Sequence, residues 1–175
     1  MSIVKSFNGK MIDVGECMGC TIVKNFENNN ICPGKIAKTK NFTIAQDFEL
    51  PINGFIVISS VRHIKSINEM TAEEKQELIT LIDVLISSLS KINICDQYNV
   101  IWEEKDNYHF HVWLMPRHPH LREVIGTNIT KKIGDLFEYA KLNLRTEENL
   151  KEINITIENL KAELESNKII KNILL

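Results

Sequence analysis

The stretch His109-Phe110-His111-Val112-Trp113 places two imidazoles and an indole at alternate positions with apolar residues between them. Side chains of an extended strand alternate faces, so His109, His111, Trp113 and Met115 share one face and Phe110, Val112 and Leu114 turn to the other, into a core. Two histidines on one strand face suit a metal site, or a nucleophile with its orienting partner. A second reactive group is Cys17-Met18-Gly19-Cys20. Its spacing is that of paired thiolates on one tetrahedral zinc, of a redox pair, or of two unconnected thiols. Cys32, beside Pro33-Gly34, is a candidate replacement ligand, and Cys95 reads as a small buried or half-buried apolar residue.

The elements that must position these groups are legible in outline. Residues 1–40 are polar, rich in Asn and Gly, and read as loop with short elements. Phe42 to Gln46 and Phe55 to Ile58 are β-rich runs joined through Pro51 and Asn53-Gly54, and read as neighbouring strands. Thr71 with Glu74 three residues on is a capping box, after which Leu78, Leu81, Ile82, Leu85 and Leu89 recur at helical spacing up to about Ile92. Tyr98 to Trp102 and Tyr108 to Met115 make a hairpin that ends at Pro116.

Beyond Pro119 the composition turns helical. Ile133, Leu136, Phe137, Ala140 and Leu144 form one stripe, and a second helix starts after the N-cap Thr146. Its seam, Leu150, Ile153, Ile157, Leu160 and Leu164, suits a short coiled coil or docking on the body of the protein.

With 175 residues and 43% hydrophobic side chains, the chain is long enough for one real core. A formal net charge of -2 argues against a polymeric nucleic-acid partner, which calls for a basic surplus, but leaves a nucleotide-sized ligand open. There is no run of 18 apolar residues and no apolar leader near Met1, so neither membrane spanning nor export is expected. The expected address is the cytoplasm, where paired cysteines read as metal or redox chemistry before disulfide.

Taken with Pro116-Arg117 after the histidine strand, and with the earlier segments Phe42 to Asp47, Pro51 to Ile58 and Arg62-His63-Ile64, the chain resembles the histidine triad (HIT) superfamily over roughly residues 17–120. The resemblance implies an α+β fold. It expects an antiparallel sheet, a long helix and a zinc knuckle in a nucleotide-binding domain over 1–120, with 121–175 a helical C-terminal extension of that domain.

It further implies nucleotide hydrolysis or nucleotidyl transfer at the α-phosphate of a dinucleoside polyphosphate, nucleotide sugar or nucleoside phosphoramidate, with His111 as nucleophile. An alternative register makes His109 the nucleophile. The family pattern His-x-His-x-His departs here at Trp113, whose indole N–H donates one hydrogen bond but cannot relay a proton. Trp113 is therefore carried as a donor in the catalytic pair, as in the branch with glutamine at that place. A catalytically weakened nucleotide-binding or regulatory module is the alternative function.

Zinc-containing members imply a structural zinc on Cys17, Cys20, His63 and His109, which leaves no open position. Gln46, Asp47, Asn107 and Arg117 are carried as nucleotide-binding residues, with Asp47 on the ribose hydroxyls. The acidic loop Glu103-Glu104-Lys105-Asp106-Asn107 has no glycine or hydroxyl, and its carboxylates would repel a polyphosphate. The resemblance leaves a homodimer open, since family members are often dimers.

Overall fold

The computed structural model describes residues 2–102, 104, 109–167 and 170. It begins with the hairpin Ile3–Lys5 (β1) and Met11–Asp13 (β2), the short helix Met18–Lys24 (α1) and the strand Lys35–Lys38 (β3). Phe42–Gln46 (β4) and Ile56–Ser60 (β5) follow, and the chain reverses between them through Gly54, whose φ of +73° a side chain would strain. Tyr98–Ile101 (β6) and His111–Pro116 (β7) complete an antiparallel sheet of order β3-β4-β5-β7-β6. The expected second hairpin strand thus begins at His111 rather than Tyr108, which lies outside the described residues.

Period two sorts this sheet into two faces. Ile44, Ile56, Ile58, Val112 and Leu114 face the helix Ala72–Lys91 (α2) and form one core with its Leu78, Leu81, Leu85 and Leu89. The helix Glu147–Ser166 (α5) buries Ile153, Ile157, Leu160 and Leu164 in the same core. Of the two uses open to this seam, docking on the body is the one realised. Removing a side chain such as Leu160 would cost about 2–5 kcal/mol.

The opposite face is covered at its two ends. Pro119–Ile125 (α3) and Ile133–Asn143 (α4) pack Leu121, Leu136 and Ala140 over Phe55 and Met115. At the other end Ile12, Val14 and Phe48 form a small cluster with half-buried Met18 and Ile22. A cleft lies between, floored by β5 and β7. No described helix is long and apolar enough to cross a membrane.

The start of α2 is tied to the segment that carries His63. Thr71 Oγ1 accepts from Glu74 N at 3.2 Å, and Glu74 Oε2 accepts from Thr71 N at 2.8 Å, as the capping box requires. Arg62 donates through Nε and Nη2 to the two oxygens of Glu74, each at 2.8 Å. That pair, with the Thr71 amide, holds the Glu74 carboxyl down at about 2 despite burial, which opposes it. A depressed carboxylate stabilises the fold above its unfolded pKa and loses that effect as pH falls through the folded one. Glu74→Gln should therefore lower Tm at pH 7. In thermal melts across pH, the gap to the native chain should close between the ordinary carboxylate range and about pH 2.

Candidate active site and metal centre

Cys17 is the N-cap of α1, its sulfur accepting from Cys20 N at 3.4 Å, so the first helical turn brings both sulfurs to one side. They meet two imidazoles. Cys17 Sγ lies 3.5 Å from His63 Nδ1 and 3.7 Å from His109 Nδ1, and Cys20 Sγ lies 3.1 and 3.4 Å from the same atoms. All four ligand atoms fall within 4.8 Å of one another. Tetrahedral zinc, with Zn–S of about 2.3 Å and Zn–N of about 2.05 Å, requires S···N separations of about 3.6 Å. The donor set and its spacing both fit zinc.

The surroundings fit as well. His109 is buried and its Nε2 lies 2.6 Å from the carbonyl of Ser60, which can only accept, so the proton sits on Nε2 and the Nδ1 lone pair faces the sulfurs. Burial lowers the pKa of this ring and keeps it neutral, as a ligand must be. Burial, with Cys17 beside it, pushes the Cys20 thiol up to about 11, and a bound dication would displace the proton it then holds. Gly19 completes the fit. A Cβ there would stand 2.4 Å from His109 Cγ, so only glycine lets α1 close on the ring.

The cleft beside the cluster has a volume of about 280 Å³. Val57 and Ser59 on β5 lie opposite Trp113 and His111 on β7, and these four side chains form its floor. Met18, Gly19 and Ile22 of α1 make one wall, so the metal centre and the cleft share a helix. His111 Nδ1 lies 2.9 Å from the carbonyl of His109, which places the proton on Nδ1 and the lone pair on Nε2. Trp113 stands 5.4 Å from His111 between ring centroids, and packs at steep angles against Phe55 and Phe137, 6.0 and 5.6 Å away. Asp47 also lines the cleft. Its Oδ1 accepts from the amides of Glu49 and Leu50 at 2.9 and 2.8 Å, while burial, outweighing those bonds, pushes the carboxyl up to about 6.

No protein-family model matches the sequence, and no curated protein matches it. Solved structures do match in shape. The zinc-bound histidine triad family protein from Mycobacterium smegmatis superposes with a TM-score of 0.54 at 16% identity, over 85% of this chain and 99% of that one. A Hit-like protein involved in cell-cycle regulation from Bartonella henselae gives 0.55 at 14% identity, over 82% and 95%. A HIT family member from Bacillus subtilis gives 0.51 at 16%, over 82% and 96%. The fold is the HIT fold.

Within the HIT fold the expected residues separate into three groups. Cys17, Cys20, His63 and His109 come together, and His111, Trp113 and Asp47 share the adjoining cleft. Gln46 and Arg117 do not. Gln46 pairs with Ile56 on the core side, is buried, and donates to the carbonyls of Leu50 and Ile52, holding the β4–β5 connection. Arg117 is six residues beyond His111, about 20 Å along an extended chain, and lines a separate cleft with Asp96 and Arg122. Asn107 lies outside the described residues. Cys32 is buried away from the cluster.

Sequence reasoning missed Ser59, Val57 and α1 as parts of the cleft. The alternation Val57-x-Ser59 carried the signal for the first two. The glycine between the cysteines carried it for the third.

Two measurements follow. Purified chain should contain about one zinc, read by metal analysis. Gly19→Ala should weaken zinc about tenfold or more in competition with a chromophoric chelator, because its Cβ displaces the His109 ring.

Proposed function

We propose that the chain is a nucleotide hydrolase or nucleotidyltransferase working at an α-phosphate through His111, with a structural zinc on Cys17, Cys20, His63 and His109. The observation that carries the reading is the His111 ring in the cleft floor, its Nδ1 anchored on the His109 carbonyl so that Nε2 holds the nucleophilic pair. The zinc would cross-link α1 to the histidine strand and has no open position for a substrate. The burial of His109, its Nε2 bond to Ser60 and its place in the cluster support the register with His111 as nucleophile over that with His109.

In the proposed sequence Nε2 of His111 attacks the α-phosphorus, and the bond to the leaving group breaks with its electron pair, the departing group taking a proton from water. Water then attacks phosphorus, the N–P bond pair returns to Nε2, and the proton of that water passes to solvent. Such a covalent intermediate divides one difficult displacement into two easier ones. Asp47 would receive the ribose hydroxyls through Oδ2, its Oδ1 being held by the backbone.

Charge narrows the substrate. Glu16, Asp47 and Glu49 line the cleft, and none of its described lining residues is Lys or Arg, although Lys141 reaches Glu49 at 3.0 Å. Two like unit charges about 6 Å apart cost about 3 kcal/mol at an effective dielectric near 20, so each extra phosphate is penalised. Among the three substrate classes considered, the low charge of a nucleoside phosphoramidate suits this cleft best.

A second reading, a nucleotide-binding module with weakened catalysis, is favoured by Trp113, which cannot relay a proton and is wedged between Phe55 and Phe137. Trp113→Gln distinguishes them: lost turnover means a tuned enzyme, gained turnover a decayed one. The outer edge of β6 has no strand partner among the described residues and exposes Val100, with exposed Trp102 just beyond it, and we propose this edge as the surface through which a homodimer would form.

The test is a panel of adenosine, guanosine, cytidine and uridine 5′-phosphoramidates and the matching dinucleoside polyphosphates, quenched in base and searched by mass spectrometry for a nucleotidyl adduct. The adduct should sit on His111, form faster from a phosphoramidate, and vanish in His111→Asn with zinc content unchanged. An active His111→Asn variant would sink the reading.

A further inference from the structure

Neighbouring serines on β5 have opposite circumstances. Ser60 is buried, and its hydroxyl donates to the carbonyls of Arg62 and Phe110 at 2.8 and 3.1 Å, which closes the turn toward His63. Ser59 faces the cleft, directly opposite His111 in the β5–β7 register, and its hydroxyl makes no hydrogen bond to a described residue. Residues paired across antiparallel strands have Cα atoms about 5 Å apart, so the Ser59 hydroxyl and the His111 ring can meet the same atom of a ligand.

The chemistry requires such a donor. Charge on the non-bridging oxygens of a phosphoryl centre has to be met during displacement, and preorganised donors do this more effectively than covalent help alone. The described lining residues include no Lys or Arg, and Asp47 offers only an acceptor when ionised. The polar side-chain donors beside His111 are then the Ser59 hydroxyl, across the ladder, and the Trp113 indole, two residues along the strand.

We propose that Ser59 is a catalytic residue, its hydroxyl donating a hydrogen bond to a non-bridging oxygen of the phosphate held at His111. No proton is transferred; the O–H stays on Ser59 throughout. The proposal rests on the function argued above. It adds that β5 supplies a donor opposite the nucleophile, where a neutral hydroxyl stabilises the centre without drawing in further phosphates.

The test follows formation of the His111 adduct by base-quenched mass spectrometry, with the four nucleoside 5′-phosphoramidates as probes. Ser59→Ala should slow adduct formation by about 100-fold at saturating probe, with KM little changed, Tm and zinc content intact, and Ser59→Thr restoring most of the rate. Should Ser59→Ala fail to fold, the near-isosteric Ser59→Cys, a weak donor, carries the same expectation. A Ser59→Ala or Ser59→Cys variant forming the adduct at the native rate overturns the role of Ser59 while leaving that of His111 standing. No adduct in the native chain with any probe overturns both.

Discussion

The arrangement depends on one ring being held from both sides. His109 gives Nε2–H to the Ser60 carbonyl and turns Nδ1 to the sulfurs of Cys17 and Cys20. That double attachment joins three segments distant in sequence: the end of β5, the approach to β7, and α1. The apolar support of α1 is slight, since none of its residues is fully buried and Met18 and Ile22 pack only on the small cluster around Phe48. A structural zinc of the proposed kind would supply most of the missing attachment, because a bound metal stabilises whatever folded arrangement assembles its ligands. Since α1 is also a wall of the cleft, the metal would define the cleft's shape while taking no part in its chemistry.

Electrostatics then sets what the cleft can receive. Its neutral floor of Val57, Ser59, His111 and Trp113 is bordered by carboxylates, of which Asp47 is strained by burial and Glu49 is partly answered by Lys141. On the proposed function, a site of this kind would favour an α-phosphate of low charge and would rely on neutral donors where a basic site relies on Lys or Arg.

Much of this was legible before any coordinates, for physical reasons that also explain the failures. The capped helix α2 was plain because Thr71, Glu74 and the leucines recur with a period that nothing else produces. The Cys and His set was legible through the resemblance, because ligand spacing within each segment is imposed by the metal. Gln46 and Arg117 lie outside the cleft because nearness in sequence does not fix direction. Gln46 has the parity of Ile44 and so points to the core, and Arg117 is carried out of reach by the rise of the strand. The short strand β3 and helix α1 were not separable from loop, being four and seven residues long.

Why two histidines on one strand face take different places is a matter of where the ladder begins. At His111 the regular pairing of β7 with β5 is established, Ser59 lies opposite, and the ring stands over the floor of the cleft. Two residues earlier the chain is outside the strand. The amide of Phe110 binds the carbonyl of Ile64, and the Phe110 carbonyl receives both the amide and the hydroxyl of Ser60. Those bonds draw the backbone toward the 60–64 turn and lower His109 into the space beside His63, where the two rings meet at right angles 5.2 Å apart. The period-two pattern therefore puts both imidazoles on the same side, and the departure of the backbone from the ladder at Phe110 is what turns one toward the sulfurs and leaves the other in the cleft.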